Sequence, residues 1–290
     1  MNKTDVRRKK DWTIVKVVCF SILFFVFLRI FVFSFFKVPT SSMVPTIMPY
    51  DQIVVNKLIL GPRLFNFWNF KDKNKITYKR LKGIRKVKRN DVLVFNLPYE
   101  ADRENLIFNL DIFFVKRCVA IPGDVFYIKN GIYRIKNNLD TLGCYSYQKE
   151  FAQRNTKSIR TDYFKCFPYD AIHRWNVMNF GPIFIPGKGD RLRINSHNIK
   201  LYKGLIQYET KIEISINGDR IYIGDRILKD YTFTKDYYFM AGDYSAHSFD
   251  SRYWGLLPED HIVGKAVLIW KSEDKVADKF RWGRFLKLIK

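Results

Sequence analysis

Ile112-Phe113-Phe114-Val115-Lys116-Arg117-Cys118-Val119-Ala120 decides how the fold of this chain is read. The run is rich in β-branched and aromatic residues and stops at Pro122-Gly123-Asp124, a turn signal. As a strand of period two it puts Phe114, Lys116 and Cys118 on one face and Phe113, Val115 and Arg117 on the other. A lysine in so apolar a run is costly to bury as a cation. Its ammonium must either escape to water or lose its proton.

Outward from this strand the same pattern recurs. Asp91-Val92-Leu93-Val94-Phe95-Asn96 reads as a strand after a turn at Arg89-Asn90, and Asp51 to Leu60 as another. Residues 125–235 alternate short apolar and polar pieces, with hairpin cues at Lys129-Asn130-Gly131 and Asn217-Gly218-Asp219. Tyr237 to Ala241 and Ile262 to Trp270 read as the closing strands. The expected fold is mainly β: an antiparallel core over residues 37–124 and 236–275, interrupted by an inserted all-β lobe over 125–235. Gly61 to Lys88, with Phe65, Phe67, Trp68 and Phe70 among basic residues, reads as a loop or short helix near a lipid interface.

The front of the chain predicts a membrane anchor. Arg7, Arg8, Lys9 and Lys10 lie in a short cytoplasmic N-terminus, residues 1–12. An apolar run from Val17 to Phe36, broken only by Arg29 and the small Ser21 and Ser34, suits one bilayer crossing of about 20 residues, giving an anchor over 13–36. The basic residues ahead of it place everything after it outside. A cleavable leader is rejected, because the run is long and no small-x-small site follows it. Arg29 is expected to snorkel toward the outer interface. The tail over 276–290 mixes Phe280, Trp282, Phe285 and Leu286 with basic residues, and reads as an interfacial helix or as a solvated end.

Lys and Arg number 51 against 28 Asp and Glu, an excess of 23. Such charge suits nucleic acid or an anionic membrane surface. The basic residues are scattered and no nucleic-acid motif is present, which favours the bilayer as partner and excludes nucleic acid. The four cysteines form no C-x-x-C pair and the four histidines complete no metal pattern, hence no metal and no cofactor is expected. Cys144 and Cys166 either pair in an oxidising compartment or remain free thiols. No feature sets an oligomeric state.

Just past the anchor stands Val38-Pro39-Thr40-Ser41-Ser42-Met43-Val44-Pro45-Thr46. Two prolines stiffen an irregular backbone around a pair of serines. The stretch is either a turn or the mount of a nucleophile. A serine needs a base, and no histidine has a Ser/His/Asp context; His247 lies in a polar turn and reads as solvated. A lysine serves in the Ser-Lys variant of the triad. Its pKa of about 10.4 must then fall to roughly 7–8, which asks ~3–5 kcal/mol of desolvation and local field. Lys116, among Phe113, Phe114, Val115 and Val119, has the neighbours to supply this; the alternative is a snorkelling strand lysine.

Four stretches in order resemble the boxes of type I signal peptidase, the bacterial membrane-anchored Ser/Lys leader peptidase. They are Ser42-Met43-Val44-Pro45-Thr46, Arg89-Asn90-Asp91-Val92-Leu93-Val94-Phe95 with Asn90 where glycine is usual, Val115 to Asp124, and Ser248-Phe249-Asp250-Ser251-Arg252-Tyr253-Trp254-Gly255. The resemblance implies Ser42 as nucleophile and Lys116 as general base. It implies Ser248 orienting the lysine, and the Ser42 N–H with the Thr40 hydroxyl as oxyanion hole. Asp250 and Arg252 would form a structural ion pair beside the site. The substrate, a signal peptide of an exported preprotein, would add as a strand along a groove with Pro39 and Ser41 on one side and Phe113, Phe114 and Val115 on the other, and small-x-small sites would be cut. The expected location is the bacterial inner membrane, single-pass, with the catalytic part on the outer side. One departure stands out: Gly242-Asp243-Tyr244-Ser245-Ala246-His247-Ser248 replaces the family's Gly-Asp-Asn-Arg-Asp-Asn-Ser. It makes a substrate-specialised or catalytically silent paralogue, binding exported chains in the same groove, the competing expectation.

Overall fold

The computed structural model describes residues 3–65, 78–99, 106–154 and 164–290, with side chains from Trp12 onward. Phe67, Trp68, Phe70 and the side chains of Arg7 to Lys10 lie outside the described residues. Helix α1, Lys3–Phe27, runs into a π-helical turn over Leu28–Val32. Trp12–Val32 is long and apolar enough to cross a membrane, with a mean hydropathy of 2.5. The anchor expected to reach Phe36 ends sooner. Phe33–Lys37 is strand β1, paired antiparallel with β2, Asp51–Asn56, from Phe33↔Asn56 to Lys37↔Gln52. The apolar run therefore divides between two environments: its last phenylalanines are held by a sheet ladder, and Phe36 packs against the core.

The main sheet adds β3 (Val92–Asn96), β4 (Phe113–Ala120), β5 (Tyr237–Ala241) and β6 (Ile262–Asp274) in the order β1-β2-β6-β3-β4-β5, all antiparallel. The fold is mainly β, as the alternating pattern predicts. β3 is buried along its whole length. Val92 and Val94 join Val38, Met43, Ile47, Ile53 and Val115 in one core, while Leu93 and Phe95 join Cys118, Met240, Trp254 and Ile262 in another. Period two thus sends Val115 and Cys118 to opposite faces, as read from sequence.

Residues 125–235 hold both expected hairpins. Val125–Lys129 pairs with Ile132–Ile135 around Asn130 and Gly131, whose φ values of 50° and 78° are those a type I′ turn demands. Ile214–Asn217 pairs with Arg220–Ile223 across Gly218. The segment is not strictly all-β: helices α2 (Tyr145–Ala152) and α3 (Ile199–Thr210) lie within it. Leu201, Tyr202, Leu205 and Ile206 are buried at helical spacing, a pattern that hairpin cues alone do not weigh.

Two other stretches differ from their sequence reading. Within the described part of 61–88, Arg63–Phe65 and Tyr78–Arg80 form an antiparallel pair where a loop or short helix is expected, with Arg80 donating to the Ile262 carbonyl at 2.6 Å. The tail is neither an interfacial helix nor a loose end. Lys279–Phe280 and Lys287–Leu288 both pair with β6, Ile289 enters the core, and Arg284 meets buried Asp51 at 2.6 Å. The ladder of β6 and the Asp51 carboxylate outweigh local amphipathicity. Trp282, Phe285, Leu286 and Leu288 stay exposed on this strap. All four cysteines, Cys144 and Cys166 included, are free.

Ile53 is fully buried between β1, β6 and the serine-bearing loop. Ile53→Ala is expected to lower unfolding stability by ~2–5 kcal/mol. Chemical denaturation measures this, and a loss below about 1 kcal/mol would contradict the packing described.

Candidate active site

Past β1 the chain keeps its pairing for one more residue, with Val38 N–H donating to Asp51 and Tyr50 N–H to Val38. The loop between is pinned rather than flexible. Met43 and Ile47 are fully buried, Val44 N–H donates to the Ser41 carbonyl and Ile47 N–H to that of Met43. Ser42, one residue before the Met43 plug, is thereby carried to a set position. β4 brings Lys116 there from the other side, opposite Leu93 of β3. Lys116 Nζ lies 2.5 Å from Ser42 Oγ, and both side chains are buried.

Burial sets the state of the amine. Desolvation pushes Lys116 down from its ordinary 10.5 to about 8; Arg252 adds to this, while Asp250 and Asp243 oppose it. Its Nζ stands 5.4 Å from the centre of the Phe114 ring, an apolar flank on that side. A lysine so placed gives up its proton far more readily than a solvated one, and the neutral amine, able to accept the Ser42 hydroxyl proton, becomes the major form above about 8.

A cleft of about 400 Å³ opens over the pair. One wall is Phe36, Lys37, Val38, Pro39, Thr40 and Ser41; the other is Phe113, Phe114 and Val115; Ile53 and Val94 line it, as do His247 and Phe249. β5 pairs with β4 only from Arg117 to Ala120, so the outer edge of Phe113 to Lys116 has no partner strand among the described residues. Among the described residues β1 likewise pairs on one side only. The Ser42 N–H and the Thr40 hydroxyl take no hydrogen-bond partner among the described residues.

The floor is the turn after β5. Gly242 is required by contact: a Cβ there would collide with Ser248 Oγ and the Ser42 carbonyl. Tyr244 N–H donates to that same Ser42 carbonyl at 3.0 Å. Two buried arginines clamp the turn. Arg252 meets Asp250 through two hydrogen bonds, Nε to Oδ1 at 2.8 Å and a terminal nitrogen to Oδ2 at 2.9 Å, and also donates to the Ser245 carbonyl. Burial works against the Asp250 charge, but the Arg252 charge and hydrogen bonds outweigh it and hold the carboxyl below its usual range. Arg117 grips both oxygens of Asp243 at 2.7 Å, and Asp243 also takes the Thr46 hydroxyl. Arg117 is adjacent to the candidate base on β4, so one strand supplies the lysine and the clamp. Sequence reading overlooked this clamp, although period two already sends Arg117 to the face opposite Lys116.

The departures from the resembled pattern acquire physical roles. Asn90 has φ of 68°, a left-handed conformation that glycine and asparagine adopt most readily, and its amide bonds the Thr141 carbonyl and Gly143 N–H. Tyr244 packs between Tyr147 of α2, 5.0 Å away, and His247, at 4.6 Å between ring centres. Ser245 Oγ meets the Tyr133 hydroxyl. The inserted segment thus braces the turn where charged and amide residues were expected. Ser248, expected to orient Lys116, is buried within reach of the Asp250 carboxylate, whose charge its hydroxyl favours. His247 is exposed at the cleft rim.

Comparison with known proteins gives one family. The profile described as signal peptidase, peptidase S26, matches residues 11–271. Among similar curated proteins, signal peptidase I of Buchnera aphidicola subsp. Baizongia pistaciae is 30% identical over 267 residues, covering 87% of this chain and 74% of that protein. Signal peptidase I of the Acyrthosiphon pisum subspecies is 29% identical, covering 88% and 74%. That of Haemophilus influenzae is 27% identical, covering 93% and 74%.

Asp250→Ala leaves the Arg252 guanidinium buried without its counter-ion. A stability loss of ~3–5 kcal/mol is expected, read by urea unfolding. An unchanged midpoint would show that the pair does not hold the turn.

Proposed function

The chain belongs to the signal peptidase family, peptidase S26, and from that premise we propose that it is a Ser/Lys endopeptidase with Ser42 as nucleophile and Lys116 as general base. The coarse activity follows from the family: a membrane-anchored serine peptidase that removes signal peptides. The observation that carries the finer reading is the 2.5 Å approach of Lys116 Nζ to Ser42 Oγ in a desolvated cleft.

In this reading the preprotein enters as an extended strand between Val38–Ser41 and Phe113–Val115, using edges that have backbone groups to pair. Apolar walls built from Val38, Ile53, Val94 and Val115 accept small side chains just before the cut and two positions earlier. Ser42 Oγ attacks the scissile carbonyl and passes its proton to the neutral Lys116 amine. Negative charge on the carbonyl oxygen is met by the Ser42 N–H and the Thr40 hydroxyl; one such donor is worth ~2.7–4 kcal/mol. The Lys116 ammonium then protonates the departing amine, leaving an acyl-enzyme on Ser42. The same lysine next draws a proton from water, which releases the signal peptide. Ser248, whose buried hydroxyl has an oxygen lone pair to offer, orients the lysine when it carries the extra proton. Asp250 and Arg252 support the turn. The catalytic part stands on the outer side of the bacterial cytoplasmic membrane, with the N-terminus in the cytoplasm.

Ser42→Ala and Lys116→Ala are each expected to cut preprotein cleavage by about 10⁴-fold or more while leaving the circular dichroism spectrum unchanged. Full activity in either variant sinks the Ser/Lys reading. A wild-type chain that binds a preprotein yet leaves it intact at alkaline pH would replace it with the silent groove-binding reading.

The amine must be neutral to act as base, so its depressed pKa sets a sign. Below about 8 the ammonium form dominates, and kcat/KM is expected to fall about tenfold per pH unit, levelling above that value. A flat profile between pH 6 and 9 would remove Lys116 from the role.

A further inference from the structure

The junction between the membrane helix and the sheet contains no slack. α1 passes through the Leu28–Val32 π turn directly into β1, and Phe33 N–H still donates to the Leu28 carbonyl while Phe33 is already paired with Asn56. The next residue of the partner strand's chain, Lys57, closes the joint twice. Its N–H donates to the Val32 carbonyl at 2.8 Å. Its Nζ donates to the carbonyls of Arg29 and Ile30 at 2.7 and 2.8 Å. These are end-of-helix carbonyls, which lack partners within the helix and attract a cation. Arg29 turns back over the Phe35 ring of β1 at 5.3 Å. Lys57 is half-buried; burial, followed by the charges of Arg29 and Arg63, pushes its amine down to about 8. The cap is thus held at an electrostatic cost, and among the described residues no carboxylate pairs with it.

We infer that Lys57 is a positioning residue that joins the membrane helix to the catalytic sheet as one rigid piece, so that the nucleophile is held at a set height above the bilayer. The inference rests on the peptidase reading of the site. From the end of the apolar span, five strand residues extend about 16 Å at about 3.3 Å each before the chain turns to Ser42. A substrate anchored in the same bilayer by its own apolar stretch offers its cleavable bond at a height set by that stretch's length. With both heights defined, the enzyme selects substrates by apolar length as well as by the side chains next to the cut. With a loose joint, that selection relaxes.

The test uses the full chain in liposomes and a preprotein series whose apolar stretch is lengthened by two and four leucines, the longer step being about 6 Å of helix. A short water-soluble peptide bearing the same cleavage site serves as reference. The variants are Lys57→Ala, Lys57→Arg, and a Gly-Gly-Ser-Gly insertion between Val32 and Phe33. Wild type is expected to show one preferred length. Lys57→Ala and the insertion should reduce the discrimination between matched and mismatched lengths by about tenfold, the scale of a lost charge-assisted hydrogen bond. Lys57→Arg should restore it, and all four proteins should cut the soluble peptide at equal rates. Identical length profiles in all four overturn the inference. An equal slowing of soluble peptide and preprotein by Lys57→Ala also overturns it, since Lys57 would then act only on folding. A wild type that cuts neither substrate fails the peptidase reading itself, a separate result from a flat length profile.

Discussion

The rest of this molecule depends on a lysine amine kept out of water next to one hydroxyl. Charge burial is among the least favourable things a folded chain does, and it is tolerated where the group can shed its charge or is surrounded by fixed partners. Lys116 is stripped of water by the cleft walls, yet it sits near both Asp250 and Arg252, whose fields oppose each other. The net effect is an amine whose proton is held loosely. That state cannot be built by β4 alone; it requires Ser42 in front and the Gly242–Arg252 turn behind.

The supporting turn is held by charge pairs chosen for geometry. Arg252–Asp250 and Arg117–Asp243 are both two-point guanidinium–carboxylate contacts in the interior. Such pairs add little net stability relative to apolar packing, but they specify orientation closely. Around them the turn has been rebuilt. Tyr244 sits against Tyr147 from the inserted segment, and Ser245 against Tyr133, so aromatic packing from outside the core sheet takes on the work of local polar side chains. The 125–235 segment is therefore part of the scaffold of the cleft, and its buried side chains share one core with Val119, Ala120, Tyr237 and Phe239 of the main sheet.

Much was legible from local pattern. The strands around Asp91–Asn96, Ile112–Ala120 and Tyr237–Ala241 announce themselves through alternation and flanking turn residues, and both hairpins turn at their glycines, Gly131 and Gly218, each at φ > 0. The elements that escaped are those decided by partners distant in sequence. Phe33–Phe36 reads as membrane helix because it is apolar, but the waiting edge of β2 captures it. The tail reads as an amphipathic surface piece until β6 and Asp51 bind it. Helices α2 and α3 carry helical spacing that two strong hairpin cues obscure.

By itself the sequence determined the inventory: an apolar span long enough for a membrane, a strand-rich chain, a serine on a proline-stiffened loop, and a lysine in apolar company. Residue type and spacing act over a few positions, and these properties are local. The tertiary structure alone decided that Ser42 and Lys116, separated by 74 positions, stand 2.5 Å apart. It alone turned Arg117 onto Asp243, 126 positions away. The reason is physical. Desolvation and ion pairing depend on what surrounds a group in three dimensions, and that surrounding exists only once the sheet has closed on the loop.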